Sequence, residues 1–297
     1  AVRDKDHARI PIGRDLGLLS LVVIGIGTSG PVIALSSMPI VALIFWRNLG
    51  GFLLVAPWAD WKQLFGKPNM WRSVLIASAA GLALALHFFG FFLAMRLTSV
   101  ATGTALAALQ PIFAAFFVRI LGGRITRRVW IGMIVAFVGV LVITGVDFQI
   151  SKDAFIGDLV AIACAALAAI YTIIGSRVRE TMSTATYTSI VYLTCVIFSI
   201  SISVIAGVQL WGFPKVEWLY LIALIIGAQI MGHTILNFTL KSVSPVIAST
   251  VVFFEVPVSA LLAFWWIGQL PPLGTIPGLL LILLGCAIFS IRQNEKK

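Results

Sequence analysis

Charged residues are scarce in this sequence. Only 11% of its 297 residues are Asp, Glu, Lys or Arg, and 60% are hydrophobic, whereas an average soluble domain has about 25% charged residues. A soluble chain of this size cannot bury so much apolar surface, because a single core stops growing near this length. The composition therefore excludes an ordinary soluble domain and indicates a chain whose solvent is lipid.

Residues that form reactive or metal-binding sites are also few. The three cysteines (Cys164, Cys195 and Cys286) lie in three separate apolar runs and show no close metal-binding spacing. No Gly-x-x-x-x-Gly-Lys-Ser/Thr pattern indicates ATP as a driver. A membrane-embedded transferase would need clustered Asp, His or Glu in an interfacial loop, and the loops are nearly bare of them. We therefore expect no metal, no cofactor and no enzymatic activity.

What the sequence does contain is long apolar runs. They extend for about 20 residues, the length of a helix that crosses a bilayer, and they lack the alternation of barrel strands. We predict an all-α membrane protein with ten transmembrane helices, the first run being too long for a signal peptide and followed by further spans. The predicted spans are 16–35, 39–58, 72–95, 98–120, 128–146, 155–175, 186–208, 217–240, 243–267 and 272–291.

The basic residues predict the orientation of these spans. Seventeen of the 21 Lys and Arg fall in the tails and loops of one side, three fall on the other side, and Arg47 lies within a span. Such an excess marks the cytoplasmic side, so both termini are expected in the cytoplasm, with the chain in the inner (plasma) membrane. The net charge of +10 is thereby explained without a nucleic-acid partner, and we expect a monomer in the lipid bilayer.

An internal repeat appears at an offset of 146 residues. It predicts two five-helix repeats, 1–148 and 149–297, the second inverted because each contains an odd number of spans. Inverted repeats are typical of secondary transporters with a midplane binding site between the halves. A channel remains an alternative, and would show neither saturation nor countertransport. The matched pairs are His87 and His233, Pro111 and Pro257, Gly122 and Gly268, Gly132 and Gly278, and Gly139 and Gly285.

The motifs resemble those of the drug/metabolite transporter superfamily. They are Arg47 late in the second span, Leu109-Gln110-Pro111, Leu121-Gly122, Val256-Pro257 and Ile267-Gly268. The resemblance implies the ten-helix fold, and is strongest to bacterial exporters of aromatic amino acids. It implies alternating-access export of amino acids, aromatic ones first, or of related small hydrophobic metabolites; the alternative is a carrier of other drugs, amines or metabolites. The sequence departs from the family at Gly123 and Gln269, where members often carry Glu.

Polar and aromatic residues within spans are the candidate site. Intramembrane polar groups are costly and usually functional. Gln229, His233 and Asn237 recur every four residues and so share a helix face, although interhelical hydrogen bonding is an alternative role for them. The predicted substrate-binding residues are Trp46, His87, Phe91, Gln110, Tyr171, Gln229, His233, Asn237 and Phe253.

Two further groups have other predicted roles. Arg47 and Glu255 are rare intramembrane charges, and we expect either an ion coupling role or a structural ion pair. Glycine and proline in the first, fourth and ninth spans can bend a helix or free its carbonyls. The predicted hinge residues are Gly25, Gly27, Gly30, Pro31, Pro111 and Pro257.

Overall fold

The computed structural model describes residues 13–66, 70–240, 242–243 and 251–290. Within these ranges the chain is helical and contains no β-strand. The prediction of an all-α protein is confirmed. The helices are α1 Gly13–Gly27, α2 Ser29–Leu35, α3 Ile40–Val55, α4 Trp61–Gly66, α5 Met70–Leu97, α6 Val100–Ala107, α7 Gln110–Ile120, α8 Arg127–Ile150, α9 Lys152–Val178, α10 Thr184–Ala206, α11 Lys215–Leu224, α12 Ile235–Thr239, α13 Val252–Ile267 and α14 Ile276–Ser290.

Eight helical segments of the described chain are long and apolar enough to cross a bilayer. Two shorter apolar helices follow them, Val252–Ile267 and Leu273–Ile288. The ten segments match the predicted spans in order, and most ends agree within a few residues. The first part of the predicted ninth span, residues 244–250, lies outside the described residues.

Several spans depart from a regular α-helix. The first is interrupted at Thr28, between α1 and α2, where the Thr28 hydroxyl donates to the carbonyl of Gly25 at 2.8 Å. The fourth is interrupted between Ala107 and Gln110, directly before Pro111. In contrast, α13 continues through Pro257. Two of the three predicted hinge regions therefore coincide with breaks in the helix, and the third does not.

A π-helix forms the middle of the eighth span. Residues Ile225–Thr234 connect α11 to α12 with the wider π turn. Its neighbour is α1, and the contact is close: a Cβ on Gly25 would lie 2.6 Å from the carbonyl oxygen of Gly227. π-helices inside α-helices occur frequently at functional sites, and this one carries two of the predicted site residues.

Helices α8 and α14 cross through glycine. A Cβ on Gly139 would lie 2.7 Å from the carbonyl oxygen of Gly278, and a Cβ on Gly285 would lie 2.5 Å from that of Gly132. Small residues allow backbones to approach in this way within a membrane. The repeat therefore aligned four glycines that form one helix crossing.

Burial identifies the centre of the bundle. In the segment Val100–Ile120, formed by α6 and α7, 78% of the most apolar 18-residue stretch is buried inside the protein, whereas in α8 the buried share of the corresponding stretch is 28%. The start of α6 is fixed by Gln269, whose side-chain oxygen accepts from the backbone N–H of Val100 at 2.9 Å. The fourth span is thus central, and side chains on it and on its neighbours face one another inside the protein.

Candidate functional site

A cavity lies among the buried helices, and seven of the ten spans contribute to it. Water-sized molecules have about 40 Å³ of room in it, within an envelope of about 590 Å³ that includes open solvent. The lining is apolar except for a small set of polar groups, as is usual for small-molecule sites. The lining residues are Ile26, Ser29, Arg47, Leu84, His87, Phe88, Phe91, Ala107, Gln110, Ala168, Tyr171, Thr172, Ala228, His233, Leu236, Val252 and Glu255.

Arg47 brings a positive charge to this cavity. Its side chain is 1% exposed, and its Nε donates to Oε1 of Gln229 at 2.5 Å. The guanidinium carbon lies 4.1 Å from the ring centroid of Phe88 and 5.5 Å from that of Phe92. A planar cation between aromatic faces is favoured electrostatically, so the arginine is oriented by packing as well as by a hydrogen bond.

The acceptor of this arginine is itself fixed. Gln229 Nε2 donates to Asn48 Oδ1 at 2.8 Å, and Asn48 Nδ2 donates to the carbonyl of Ile44 at 2.8 Å. Since its amide is committed at both ends, Gln229 presents its oxygen to Arg47. The chain of hydrogen bonds connects α3 to the π-helix and leaves the terminal nitrogens of the guanidinium without a hydrogen-bond partner among the described residues.

Glu255 brings a negative charge to the same cavity. It lies in the first turn of α13 and is 6% exposed. Glu255 and Arg47 are near enough to interact electrostatically, but the described residues contain no salt bridge between them and no hydrogen bond to the Glu255 carboxylate. Within those residues, the cavity thus holds one positive and one negative group that are not directly paired.

Two histidines related by the repeat meet in the cavity. The rings of His87 and His233 have centroids 6.4 Å apart. Nδ1 of His87 lies 2.9 Å from the carbonyl oxygen of Cys164; because a carbonyl only accepts, this nitrogen carries a proton, which in a neutral ring leaves Nε2 as an acceptor. Nδ1 of His233 is buried and has no hydrogen-bond partner among the described residues.

Aromatic rings surround the two histidines. Phe91 stacks on His87 with ring planes 21° apart, and Phe88 meets His233 edge to face at 4.9 Å. Tyr171 lies 6.1 Å from His233, centroid to centroid. These rings offer flat apolar surfaces beside the charged groups, which suits a ligand with an aromatic portion.

Further polar groups come from α7 and α9. Gln110 Nε2 donates to Thr172 Oγ1 at 2.9 Å, and Thr172 in turn donates to the carbonyl of Ala168. The Tyr171 hydroxyl donates to Oδ1 of Asn237. Both contacts hold side chains of one span against the cavity by bonding them to a neighbouring span.

The structure separates the predicted residues into two groups. His87, Phe91, Gln110, Tyr171 and His233 line the cavity, as do Arg47 and Glu255. The other four predicted substrate residues do not line it. Gln229 and Asn237 stand behind it as hydrogen-bond partners of Arg47 and Tyr171, and Phe253 is buried without lining it.

Trp46 lies in a different part of the molecule. Its indole N–H donates to the carbonyl of Leu210 at 2.5 Å. Its ring packs edge to face against Trp211 and Trp218, with centroids 5.1 and 5.2 Å apart. The residue anchors the second span to the segment before α11, at an aromatic cluster typical of a membrane interface.

Sequence reasoning left several lining residues out. Phe88 is the most informative, because it contacts both Arg47 and His233. It is one of 20 phenylalanines, and only its position one residue after His87 distinguished it. Ser29, Ala107, Ala168 and Ala228 gave no signal, since small residues pack helices throughout the chain.

No metal centre accompanies the cavity. The described residues contain no group of three or more His, Cys, Asp or Glu that could hold a metal ion. The polar groups that line the cavity include one guanidinium, one carboxylate and two imidazoles, beside aromatic faces.

One end of the bundle is held together by a carboxylate. Glu217, at the start of α11, accepts from the Ser36 hydroxyl at 2.5 Å, from Ser37 N–H and hydroxyl at 3.0 and 2.8 Å, and from Met38 N–H at 3.3 Å. Arg96 donates to the carbonyls of Ser36 and Met38 at 3.0 and 2.6 Å. The connection 36–38 is thus fixed to the third and eighth spans at the same point.

Comparison with known proteins identifies the family. The model of the EamA-like transporter family matches the chain twice, over residues 12–145 and 155–291. An uncharacterized transporter of Archaeoglobus fulgidus is 24% identical over 259 residues, covering 85% of this chain and 88% of the relative. The uncharacterized transporter YyaM of Bacillus subtilis is 27% identical over 203 residues, 66% of each chain.

A solved structure supports the fold. It is the crystal structure of a protein 20% identical to this chain, with a TM-score of 0.63, covering 92% of this chain and 97% of the solved one. At that identity the likeness concerns the fold alone. Together with the apolar helices and the two family matches, which span nearly the whole chain, it leads to one conclusion: the chain belongs to the EamA-like transporter family of the drug/metabolite transporter superfamily, and is a multi-pass membrane transporter.

Proposed function

We propose that this transporter exports amino acids, aromatic ones first, by alternating access through the cavity between its two halves. The observation that carries the proposal is the placement of Arg47 and Glu255 in one cavity lined by aromatic rings. A zwitterion needs a cation for its carboxylate and an anion for its ammonium group. Both groups have unused hydrogen-bonding capacity among the described residues, and Phe88 and Phe91 supply flat surfaces for an aromatic side chain.

The alternating-access mechanism rests on an inverted repeat. The repeat-equivalent rings of His87 and His233 contact each other. The glycine contacts are reciprocal: Gly139 meets Gly278, and Gly132, the repeat equivalent of Gly278, meets Gly285, the equivalent of Gly139. Reciprocal contacts of this kind arise at a two-fold axis. The two matches of the family model, one in each half, support the same arrangement.

We place the chain in the inner (plasma) membrane with both termini in the cytoplasm, following the distribution of Lys and Arg. The connection held by Glu217 and Arg96 then lies on the outer side. Its hydrogen bonds close that end of the bundle, and their release would open the cavity outward. Cysteines introduced at the exposed positions Lys152 and Arg177 test this orientation: an impermeant thiol reagent should label the first from outside the cell and the second only after lysis.

Transport is tested with the purified protein in proteoliposomes. Loaded unlabelled phenylalanine should drive uptake of labelled phenylalanine against its gradient, and the exchange should saturate. Non-saturating flux without exchange would identify a channel, and equal competition by unrelated sugars would remove the amino acid assignment.

Two analogues separate the charged contacts. Phenethylamine lacks the carboxylate and phenylpropionate lacks the ammonium group, so each should compete more weakly than phenylalanine. In Glu255→Gln the affinity for phenylalanine should fall towards that for phenylpropionate, and in Arg47→Gln towards that for phenethylamine. If each substitution lowered the affinity for all three compounds equally, neither Arg47 nor Glu255 would bind the charged group assigned to it.

A pair of matched phenylalanine variants tests the aromatic surface. Phe91 lines the cavity, whereas Phe254, beside Glu255 in sequence, is 65% exposed on the lipid-facing surface. Phe91→Leu should weaken binding of phenylalanine more than binding of leucine, and Phe254→Leu should change neither. Equal effects of the two substitutions would place the aromatic contact elsewhere.

A further inference from the structure

A pair of aspartates lies apart from the cavity, where the fifth and sixth spans meet. Asp147 is in the last turn of α8 and Asp158 is in the second turn of α9; they are 1% and 0% exposed. The connection Thr98–Ser99, which joins α5 to α6, covers them. Its approach to α9 is close, since a Cβ on Gly157 would lie 3.1 Å from the Thr98 nitrogen.

The hydrogen bonds of this pair are incomplete. The Thr98 hydroxyl donates to Oδ2 of Asp147 at 3.1 Å. Oδ1 of Asp147 and both oxygens of Asp158 are buried, and no described residue donates a hydrogen bond to them. The two side chains are near enough to hydrogen-bond to each other. Burying an ionised carboxylate without a partner is costly, and two carboxyl groups this close do not both stay ionised. These three oxygens accept no hydrogen bond from the described residues, and they therefore require a ligand that the surrounding side chains do not provide.

No basic side chain among the described residues supplies it. Arg96, two residues before Thr98, donates to the carbonyls of Ser36 and Met38. Lys152 and Asp153 are exposed at the start of α9. The segment packed on α8 from the other side, residues 270–288, contains no Asp, Glu, Lys, Arg or His.

We propose that Asp147 and Asp158 share one exchangeable proton and form a proton-binding site separate from the central cavity. The proton lies between Oδ1 of Asp147 and an oxygen of Asp158, so the pair carries a single negative charge. The Thr98 hydrogen bond stabilises an anion on Asp147, whereas the helix ends favour an anion on Asp158, so neither carboxyl group holds the proton alone. Release of the proton to water leaves two adjacent anions.

The pair is connected to the cavity through α6. Thr98 bonds to Asp147 and lies two residues before α6. The helix α6 lines the cavity at Ala107, and Gln110, at the start of α7, lines it as well. The helix α6 has eight residues, Val100–Ala107, and is about 12 Å long. Repulsion within the deprotonated pair would displace the Thr98–Ser99 connection, and with it the start of α6. Proton release is thereby coupled to movement of the central span; this consequence rests on the proposed transport function, whereas the shared proton does not.

Infrared spectroscopy tests the proton without any substrate. The full chain in lipid, carrying Glu255→Gln so that the buried carboxyl group of the cavity is removed, should show a carboxylic-acid C=O band that disappears as the pH rises. Asp147→Asn and Asp158→Asn should each lose this band, and the exposed control Asp153→Asn should keep it. Thr98→Ala, which keeps both carboxyl groups, should retain the band and shift its titration. A titrating band that survives in both asparagine variants, or its absence from the parent protein, would overturn the proposal.

Transport assays test the coupling. With Asp158→Asn, exchange of labelled for unlabelled phenylalanine at equal pH should persist, because exchange needs no net proton movement. Accumulation driven by a pH gradient should be lost, and Asp153→Asn should accumulate as the parent does. Gradient-driven accumulation by Asp158→Asn would refute coupling through this pair. If the parent protein exchanges no amino acid, the proposed substrate fails while the infrared result still decides the proton site.

Discussion

The glycine crossing of α8 and α14 allows a quantitative stability prediction. In Gly285→Ala the new Cβ would lie 2.5 Å from the carbonyl oxygen of Gly132, 2.6 Å from the nitrogen of Ala136 and 2.8 Å from its Cβ. Favourable contacts begin near 3.5 Å, so the two helices must separate by about 1 Å. The obstructing atoms belong to backbone and Cβ, which cannot rotate away. Overpacking of this kind costs about 1–3 kcal/mol.

Gly145→Ala is the matched control for this substitution. Gly145 lies on α8, the other helix of the crossing, and a Cβ there meets no atom within 4 Å. Both substitutions gain the same helix propensity, at most about 1 kcal/mol, and the difference between them isolates the overpacking. Gly285→Ala should therefore be less stable than Gly145→Ala by about 1–3 kcal/mol.

A thiol-reactive fluorogenic dye measures the melting temperatures. The three cysteines are free and buried, so the dye reacts as the protein unfolds. With about 2–4 °C per kcal/mol for chains somewhat shorter than this one, Gly285→Ala should melt several degrees below Gly145→Ala. Equal melting temperatures would refute the close crossing, and with it one support of the repeat symmetry.

Two further predictions concern charged groups. Arg47→Lys removes the planar cation that donates to Gln229, a charge-assisted hydrogen bond worth about 1.5–3 kcal/mol. Saturation curves for phenylalanine exchange should therefore show about a tenfold or larger rise in KM. An unchanged KM would contradict a role of Arg47 in the cavity. Glu217→Gln neutralises the acceptor of four hydrogen bonds. It should lower the melting temperature more than Ser37→Ala, which removes one of them. A larger drop in the serine variant would show that the Glu217 carboxylate does not hold the connection 36–38 in place.

Much of the fold follows from local pattern. Each span is a run of about 20 apolar residues, because lipid leaves the backbone no other hydrogen-bond partner. His87 and His233 were identifiable because polar groups within spans are rare, and they line the cavity. The glycines of the helix crossing were identifiable because they recur at the same offset of 146 residues as the histidines.

Other parts of the site depend on helix phase and on neighbours. Trp46 and Arg47 are adjacent in sequence, yet one joins an interfacial tryptophan cluster and the other lines the cavity. The spacing of Gln229 and His233 predicted that both side chains share one face of an α-helix. Both residues lie in a π-helix. Gln229 hydrogen-bonds to Arg47 and does not line the cavity, whereas His233 lines it. No pattern in a single helix predicts which neighbour its side chains will meet.

By itself, the sequence determined that the chain is helical and lipid-solvated, with ten apolar segments and rare intramembrane charges, because these follow from composition and periodicity; the repeat stays a prediction. Only the tertiary structure decided that Arg47 and Glu255 face the same cavity. It also decided that Asp147 and Asp158, at the ends of two spans where water would be expected, are buried beside each other. The reason is physical: the type of a residue determines what its burial costs, whereas the packing of helices distant in sequence determines which buried groups become neighbours.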